Sequence, residues 1–444
     1  MKKNRTNNTS IVLYKSNSLV RATNAIDITN RLINEQAEYY FKQGELKCRN
    51  KDYRGGIENY NKAIELNPNY SDAYYSRGRV KEYPLKEFNG AIEDYDRVIE
   101  LNPNYADAYY SRGWVKSYNL KDYNGAIEDY NKIIELNPKD SHGYYNRGYA
   151  KHYLEDNTSA IEDYNKAIEL NPEHYLAYDC RGDAKRDLRD YKGAIEDYNI
   201  VIQLQPEHFF AFINRGDVKV DLKDYIGAVE DYTKAIELSP NDANAYFYRG
   251  NVKRELKDYR GAIEDFSKAI KINPNNASVY GNRGFAKRDL KDYKEAIADF
   301  SKAIEINPNE WFTYYSRGES KHKLGDNSGA ISDYTKGIEI NPNISLLYYE
   351  RGLVKDELKD FKGAIADYSK KIEFAPNYAM AFFNRGNDKY KIGDNKGALA
   401  DFSKVIELCP DYADAYKNRS MVKHILGDSG ANFDMIMFNN LKNK

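Results

Sequence analysis

Histidine and cysteine are the side chains of this sequence that could most readily bind a metal ion or act as nucleophiles. They are few and scattered: His142, His152, His174, His208, His322 and His424, with Cys48, Cys180 and Cys409. His142 and His152 could share one surface, but no carboxylate or cysteine accompanies them at the spacing of metal ligands. No HExxH sequence, glycine-rich phosphate-binding loop or Gly-x-Ser-x-Gly turn occurs. We therefore predict no catalytic residues, no metal site and no cofactor, and hence a protein that is not an enzyme.

The charge balance limits the classes of partner. The chain has 67 Lys and Arg residues against 68 Asp and Glu residues, a net charge of −1. A protein that coats nucleic acid or an anionic membrane needs a large excess of basic residues. No stretch approaches the roughly 20 apolar residues that cross a bilayer, and the cysteines show no disulfide pattern. These features predict a soluble, cytoplasmic protein without a membrane span.

A regular series of prolines shows how the chain is organised. Eleven of the twelve prolines are separated by 35, 35 and then eight times 34 residues. They are Pro68, Pro103, Pro138, Pro172, Pro206, Pro240, Pro274, Pro308, Pro342, Pro376 and Pro410. A fixed period of about 20 to 50 residues is typical of stacked repeats. The extra residue of the second repeat lies beside Pro84 and that of the third near Asn119–Leu120, so we expect a surface turn there.

Each repeat carries the apolar pattern of a helix. In the second half of the third repeat, apolar residues follow the i, i+1, i+4, i+7, i+8 spacing of one helical face, without the alternation of a strand. An aspartate at the start of most second helices is expected to cap their free N–H groups, and the Asn-Pro pairs are expected to end them. The capping candidates are Asp52, Asp122, Asp190, Asp258 and Asp360.

Small residues recur where two helices must approach each other. A glycine lies ten residues after each of the first ten prolines of the series, from Gly78 to Gly386, although glycine in a helix costs about 1 kcal/mol relative to alanine. An alanine precedes ten of the eleven prolines by twelve residues, from Ala91 to Ala398. We therefore expect close contact between paired helix axes at these positions, with large aromatic side chains such as Tyr130 beside the contact.

This combination resembles the tetratricopeptide repeat, which has a period of about 34 residues, an aromatic residue before glycine in the first helix, and Ala-x3-aromatic before proline in the second. In the third unit these residues are Tyr109, Gly113, Ala126, Tyr130 and Pro138. The resemblance implies an all-α, right-handed superhelical α-solenoid of about twelve helix-turn-helix repeats. Eleven repeats occupy residues 37–412 and a degenerate twelfth repeat, or C-terminal cap, occupies 413–444. Residues 1–36 are predicted to be a flexible, basic and Asn-rich tail, in which a helix near Ile26–Ile33 could pack on the first repeat.

Two positions depart from the usual family pattern, with arginine before the glycine and lysine three residues after it in most repeats. These cations could share a helical face and form a basic surface for anions. Alternatively, each arginine pairs with the aspartate that precedes the second-helix aromatic residue. The first repeat has Gln43 in place of the arginine and Asn59 in place of the aspartate. The joint loss of both charges favours structural pairs, and Arg419 would pair with Asp434 in the last repeat.

The side chains that vary between repeats are the candidates for binding. The resemblance implies that first helices line the concave groove of the superhelix. Applying this register to repeats two to four predicts a partner-binding groove formed by Tyr75, Tyr110, Trp114, Tyr118, His142, Tyr145, Tyr149 and Tyr153. Tyr110 and Tyr145 occupy the same position in successive repeats, which we call a slot, and they could equally pack between repeats. The slot of Trp114 and Tyr149 is charged or polar in several other repeats, which favours binding, because aromatic residues are enriched at interfaces.

These observations predict a non-catalytic protein–protein interaction scaffold or adaptor that binds partner segments in the groove. One alternative is a single-stranded nucleic-acid-binding repeat protein whose aromatic rings stack bases, although its groove would have to be basic. Another is a self-associating assembly factor that presents Met435, Met437 and Phe438 of the C-terminal cap to a second copy, unless these residues only seal the stack. Family members that hold chaperone C-termini use groove lysines, which only Lys417 represents here.

Overall fold

The structure is a computed structural model that describes residues 6–442, with side chains described from residue 27 onward. Throughout this part of the chain the regular elements are helices. The described residues form two compact units, which divide between Val218 and Lys219. In the first unit the helices are α1 (Thr6–Arg49), α2 (Tyr53–Leu66), α3 (Ser71–Glu82), α4 (Phe88–Leu101), α5 (Ala106–Trp114), α6 (Tyr123–Leu136), α7 (Ser141–Tyr153), α8 (Asn157–Leu170), α9 (Tyr175–Asp187) and α10 (Tyr191–Leu204).

The boundary between the units falls within α11 (Phe209–Asp221). The second unit continues with α12 (Tyr225–Leu238), α13 (Ala243–Glu255), α14 (Tyr259–Ile272), α15 (Ala277–Asp289), α16 (Tyr293–Ile306), α17 (Trp311–Lys323), α18 (Asn327–Ile340), α19 (Ser345–Glu357), α20 (Phe361–Phe374), α21 (Ala379–Lys391), α22 (Asn395–Leu408), α23 (Ala413–Leu426) and α24 (Ala431–Lys442). Odd-numbered helices are the first helix of a repeat and even-numbered helices the second. The predicted all-α solenoid of twelve helix pairs is confirmed.

The turns between paired helices follow the predicted chemistry. Asp122 Oδ1 accepts a hydrogen bond of 3.0 Å from the backbone N–H of Gly125 at the start of α6. The other predicted caps, Asp52, Asp190, Asp258 and Asp360, make the same contact. Lys121, just before this cap, has a φ of 58°, a left-handed conformation that side chains seldom adopt. At the far end, Asn137 has φ −140° and ψ 90° before Pro138, outside the helical region that a following proline disfavours.

The recurring glycines mark close contact between the two helices of a repeat. A Cβ atom on Gly113 would lie 3.0 Å from Cε1 of Tyr130 and 3.2 Å from Cβ of Asp129. Ala126 and Tyr130 are fully buried, so their side chains fill the space between α5 and α6. The prediction of close helix approach is therefore confirmed, and it explains why glycine is present despite its low helix propensity.

The two longer repeats absorb their extra residue differently. In the second repeat it lies in the turn between α3 and α4, as predicted. In the third repeat the prediction of a turn was wrong, because residues Val115–Leu120 form a π-helix that continues α5. Hydrogen bonds from i to i+5 take one more residue into a helical turn, and such insertions are often found at functional sites.

The repeated arginines are structural. Arg181 donates from Nε to Asp197 Oδ2 at 2.9 Å and from Nη2 to Oδ1 at 2.5 Å, and Lys185 Nζ lies 2.8 Å from the same carboxylate. Equivalent pairs join Arg77–Asp94, Arg112–Asp129, Arg147–Asp163, Arg249–Asp265, Arg283–Asp299, Arg317–Asp333, Arg351–Asp367, Arg385–Asp401 and Arg419–Asp434. Because these side chains are mostly buried in ion pairs, they do not form a basic ladder for anions.

The N-terminal helix is longer than the sequence pattern suggested. It begins at Thr6 and continues to Arg49, so it includes the segment near 26–33 for which a helix was considered. Side chains 27–36 are almost all exposed, and the first buried one is Ala37. Residues 1–5 of the predicted tail lie outside the described residues, and the flexibility of the tail stays a prediction.

Candidate partner-binding surface

Four of the predicted groove residues form a continuous row of rings, which we call the aromatic stack: Trp114, Tyr118, Tyr149 and Tyr153. Trp114 and Tyr118 are stacked with ring centroids 3.9 Å apart, and Tyr118 and Tyr149 are stacked at 4.5 Å. Tyr149 and Tyr153 follow at 4.7 Å. Tyr153 also stacks at 5.2 Å on Tyr123, at the start of α6. The stack therefore connects the first helices of the third and fourth repeats, α5 with its π-helical end and α7.

The two ends of the aromatic stack reach solvent. Trp114 is 37% exposed and Tyr153 is 52% exposed, whereas Tyr118 and Tyr149 are half-buried. Burial raises the pKa of the Tyr118 phenol, so the hydroxyl group stays neutral. The stack thus presents accessible ring surfaces at both ends, supported by the rings between them.

A buried asparagine outside the predicted groove set helps to hold these rings. Asn146 donates from Nδ2 to the Tyr110 hydroxyl at 3.2 Å, and its Oδ1 accepts from the Tyr118 hydroxyl at 3.4 Å. Asn146 is only 1% exposed. Its slot is polar in most repeats, with Ser111 one repeat earlier. That recurring polar slot could have indicated a positioning residue in the core.

The other predicted groove residues are not part of the aromatic stack. Tyr145 is buried, with its hydroxyl 3.8 Å from the Cys180 sulfur, and its ring lies 4.9 Å from that of His174. His142 is exposed, and its ring lies 5.0 Å from the ring of His174. Tyr75 packs within the second and third repeats, 5.8 Å from Tyr95 and 5.3 Å from Tyr105. The slot shared by Tyr75, Tyr110 and Tyr145 therefore contributes to packing between repeats.

A cavity of about 350 Å³ adjoins the Trp114 end of the aromatic stack. It is lined by Arg79, Glu82, Tyr83, Tyr110, Ser111 and Trp114. Tyr83 is 82% exposed. The carboxylate of Glu82 accepts a hydrogen bond of 2.5 Å from the Tyr95 hydroxyl, and Arg79 Nε lies 3.7 Å from it. Tyr83 occupies the same position in its repeat as Tyr118 and Tyr153.

Carboxylates take over from aromatic rings in the next repeat. Asp183 and Asp187 occupy, in α9, the two slots that Tyr149 and Tyr153 occupy in α7. Asp183 accepts a hydrogen bond of 2.7 Å from the Tyr198 hydroxyl. Burial, together with the neighbouring charge of Asp179, raises its pKa to about 7. Asp187 is exposed. The surface thus changes from aromatic to acidic within one repeat.

Charged groups of the second unit largely engage each other. Arg254 and Arg288 both lie over the ring of Phe285, at 5.6 Å and 5.1 Å from its centroid. Arg288 Nη1 donates to Glu319 at 2.9 Å. In the same unit, Phe312 is 41% exposed and its ring stacks on that of Tyr315 at 5.8 Å. The first unit therefore presents the longer row of accessible rings.

Neither a metal site nor a membrane span emerges from the described residues. Among them, no three His, Cys, Asp or Glu side chains come together in an arrangement that could hold a metal ion. Within the same residues, no helix is both long and apolar enough to cross a bilayer.

Comparison with known proteins identifies the repeat. Profiles described as "Tetratricopeptide repeat" match residues 37–70, 106–140, 142–174, 243–276, 277–310 and 313–344, and one described as "TPR repeat" matches 81–115 and 216–253. An uncharacterized protein of Methanocaldococcus jannaschii is 44% identical over 43 residues, which cover 10% of this chain and 50% of that protein. The chain thus spans about half the length of this curated relative.

Two solved structures illustrate the likeness. YrrB, described as a TPR protein with an unusual peptide-binding site, is 25% identical with a TM-score of 0.39, covering 42% of this chain and 96% of YrrB. Yeast Tom70 is 17% identical with a TM-score of 0.35, covering 91% of this chain and 96% of the Tom70 chain.

Proposed function

Because this chain belongs to the tetratricopeptide repeat family, we propose that it is a non-catalytic scaffold or adaptor that holds a segment of another protein. Proteins of this fold are commonly interaction scaffolds. The partner segment lies along the first helices of repeats two to four, where the predicted groove set Tyr75, Tyr110, Trp114, Tyr118, His142, Tyr145, Tyr149 and Tyr153 is found. The unpaired cysteines, Cys48, Cys180 and Cys409, support a reducing, cytoplasmic location.

The accessible aromatic stack is the observation that carries this proposal. Exposed apolar patches on soluble proteins mark interaction sites, and tryptophan and tyrosine provide large contact areas at a small cost in side-chain entropy. In Trp114 and Tyr153 the outer rings of the stack are accessible, while Asn146 and the inner rings hold the surface in place. A preorganised surface loses less entropy on binding than a flexible one.

Affinity capture from the native cell tests the proposal. Wild-type protein and Trp114→Glu should differ in the proteins that they retain, because the charged side chain disrupts the accessible end of the stack. Ile226→Glu is the matched control, since Ile226 is also an exposed apolar residue but lies on a second helix, α12. Equal capture by wild type and Trp114→Glu, with equal helical circular dichroism, would contradict the proposal.

A nucleic-acid partner fits this surface less well. Phosphate groups are bound by Lys and Arg, whereas the repeated arginines and lysines of this chain are used in ion pairs with second-helix aspartates. In the repeat that follows the aromatic stack, the positions of Tyr149 and Tyr153 are held by carboxylates, Asp183 and Asp187. A steep loss of binding to single-stranded nucleic acid with rising salt would nevertheless favour that alternative.

Self-association through the last helix is a second candidate, favoured by exposed apolar residues on α24. Phe433 is 60% exposed and Ile436 is 57% exposed, and Met435 is also accessible, whereas the predicted contacts Met437 and Phe438 are half-buried. A second copy would cover this face. Sedimentation at several concentrations should then show an association that Phe433→Asp/Ile436→Asp abolishes; a monomer at all concentrations would contradict it.

A further inference from the structure

We propose that the partner segment is cationic: its lysine or arginine side chains lie against the exposed rings of Tyr83, Trp114 and Tyr153 and beside the carboxylates that border them. This inference rests on the proposed function, because it names the chemistry of the segment held by the same surface. It follows from three features, namely a cavity with aromatic walls and a carboxylate, the acidic repeat that follows the aromatic stack, and the charge balance of the first-helix face.

The cavity between Tyr83 and Trp114 has the composition of a cation-binding cage. Tyrosine and tryptophan rings attract a cation over their faces, tryptophan most strongly, and Glu82 supplies a carboxylate in the same cavity. The one cation already there is Arg79, whose side chain is 54% exposed and lies 3.7 Å from Glu82. That distance is beyond a hydrogen bond. The Arg79–Glu82 contact is therefore a charge contact without a hydrogen bond, and the Glu82 side chain itself is 12% exposed.

The other end of the aromatic stack leads to carboxylates. Asp187 follows Tyr153 in the same slot one repeat later and is exposed. Burial, together with the neighbouring negative charge of Asp179, raises the pKa of Asp183. A positive charge placed beside them favours the ionised form and offsets that repulsion. A segment that crosses from the stack to α9 thus meets rings first and carboxylates next.

The charge balance of this face supports the same partner. In repeats two to six of the first unit, the repeat positions of the aromatic stack and its neighbours on the first helices hold seven acidic residues, two arginines and two histidines, His142 and His152. The acidic residues are Asp72, Glu82, Asp107, Asp179, Asp183, Asp187 and Asp217, and the arginines are Arg79 and Arg186. Arg186 lies 3.2 Å from Asp217. A face with this excess of carboxylates is complementary to a basic segment and steers it toward the surface.

Fluorescence anisotropy with the full chain and labelled synthetic peptides tests the inference. The probes alternate lysine, leucine or glutamate with serine. We expect the lysine–serine peptide to bind best and to weaken as salt is added. Trp114→Leu keeps an apolar side chain but removes the ring, and should weaken binding about 2- to 5-fold. Asp183→Asn/Asp187→Asn should weaken it as well. The control Glu128→Gln/Glu162→Gln removes two exposed carboxylates from second helices of the same unit and should not.

The possible results separate this inference from the proposed function. Stronger binding of the leucine–serine peptide, lost in Trp114→Leu, would overturn the cationic partner but leave the scaffold function intact. Failure of the lysine–serine peptide to bind, or equal weakening by the surface and control variants, would also overturn it. The proposed function itself fails only if native partners are captured equally by wild type and Trp114→Glu.

Discussion

Arg283 and Asp299 are joined by two parallel hydrogen bonds, from Nε to Oδ2 at 2.9 Å and from Nη2 to Oδ1 at 2.6 Å. The remaining arm of the guanidinium group donates from Nη1 to Ser267 Oγ at 3.0 Å. Arg283 also lies over the ring of Tyr280, 5.7 Å from its centroid. One side chain therefore joins α14, α15 and α16. Because equivalent arginines recur along the chain, the same kind of polar contact connects adjacent repeats as well as the two helices of one repeat.

Replacing this pair with the residues of the first repeat tests its contribution. Asp299→Asn deprives Arg283 and Lys287 of a buried carboxylate, and we expect the free energy of unfolding to fall by about 2–4 kcal/mol. Arg283→Gln should also destabilise the fold. The double variant Arg283→Gln/Asp299→Asn should lose less than the sum, with a coupling of about 1 kcal/mol or more. Denaturant titrations of the four proteins measure this, and strictly additive losses would contradict the structural pairing.

Two glycines in α15 should respond oppositely to the same substitution. A Cβ atom on Gly284 would lie 2.8 Å from Phe300 Cε1, whereas one on Gly281 would have no neighbour within 4 Å. Gly284→Ala should therefore destabilise by about 1–3 kcal/mol through overpacking. Gly281→Ala should stabilise by about 0.5–1 kcal/mol, because alanine favours the helix. Thermal unfolding of both variants provides the comparison, and a stable Gly284→Ala protein would refute close helix contact.

Asp388 is a buried carboxylate where the tenth and eleventh repeats meet, and it should lower the free energy of unfolding at neutral pH. Asp388 is fully buried, and its slot holds Val354 and Val422 in the flanking repeats. Lys391 donates to Oδ1 at 3.0 Å, but Oδ2 has no hydrogen-bond partner. Burial, together with the neighbouring carboxylate of Asp356, raises the pKa of Asp388 to about 7. Asp388→Val should raise the free energy of unfolding by about 1–3 kcal/mol near pH 8. A loss of stability there would show that the Lys391 contact matters more than burial.

The raised pKa of Asp183 predicts how stability depends on pH. Its pKa is about 7 in the folded chain, against an ordinary value of 3.8. Between these values the folded chain holds a proton that the unfolded chain has lost, so the free energy of unfolding falls as pH rises from about 4 to about 7. The Asp183→Asn side chain cannot ionise, so the free energy of unfolding of this variant should fall less as pH rises. The variant should be more stable than wild type near pH 8 but not near pH 4. Urea unfolding at several pH values measures this, and parallel curves would argue against it.

Much of the fold could be predicted because the same local rules recur in every repeat. The spacing of apolar residues, the aspartate caps and the Asn-Pro pairs each depend on a few consecutive residues. Even a contact distant in sequence, the Arg–Asp pair, could be predicted, because Gln43 and Asn59 replace both partners together in the first repeat. Eleven near-copies of one unit act as an internal set of variants.

The candidate site was predicted only in part, because it depends on contacts between repeats. The register placed Trp114, Tyr118, Tyr149 and Tyr153 on the first helices, but no local pattern shows that their rings stack or that Tyr145 is buried. The extra residue near Leu120 was equally compatible with a turn, and the helix absorbs it as a π-helix beside Trp114. Periodicity and capping are properties of one segment and can be read along the chain. Which side of an aromatic ring remains open to a partner depends on how neighbouring helices pack, and therefore emerges only from the three-dimensional arrangement.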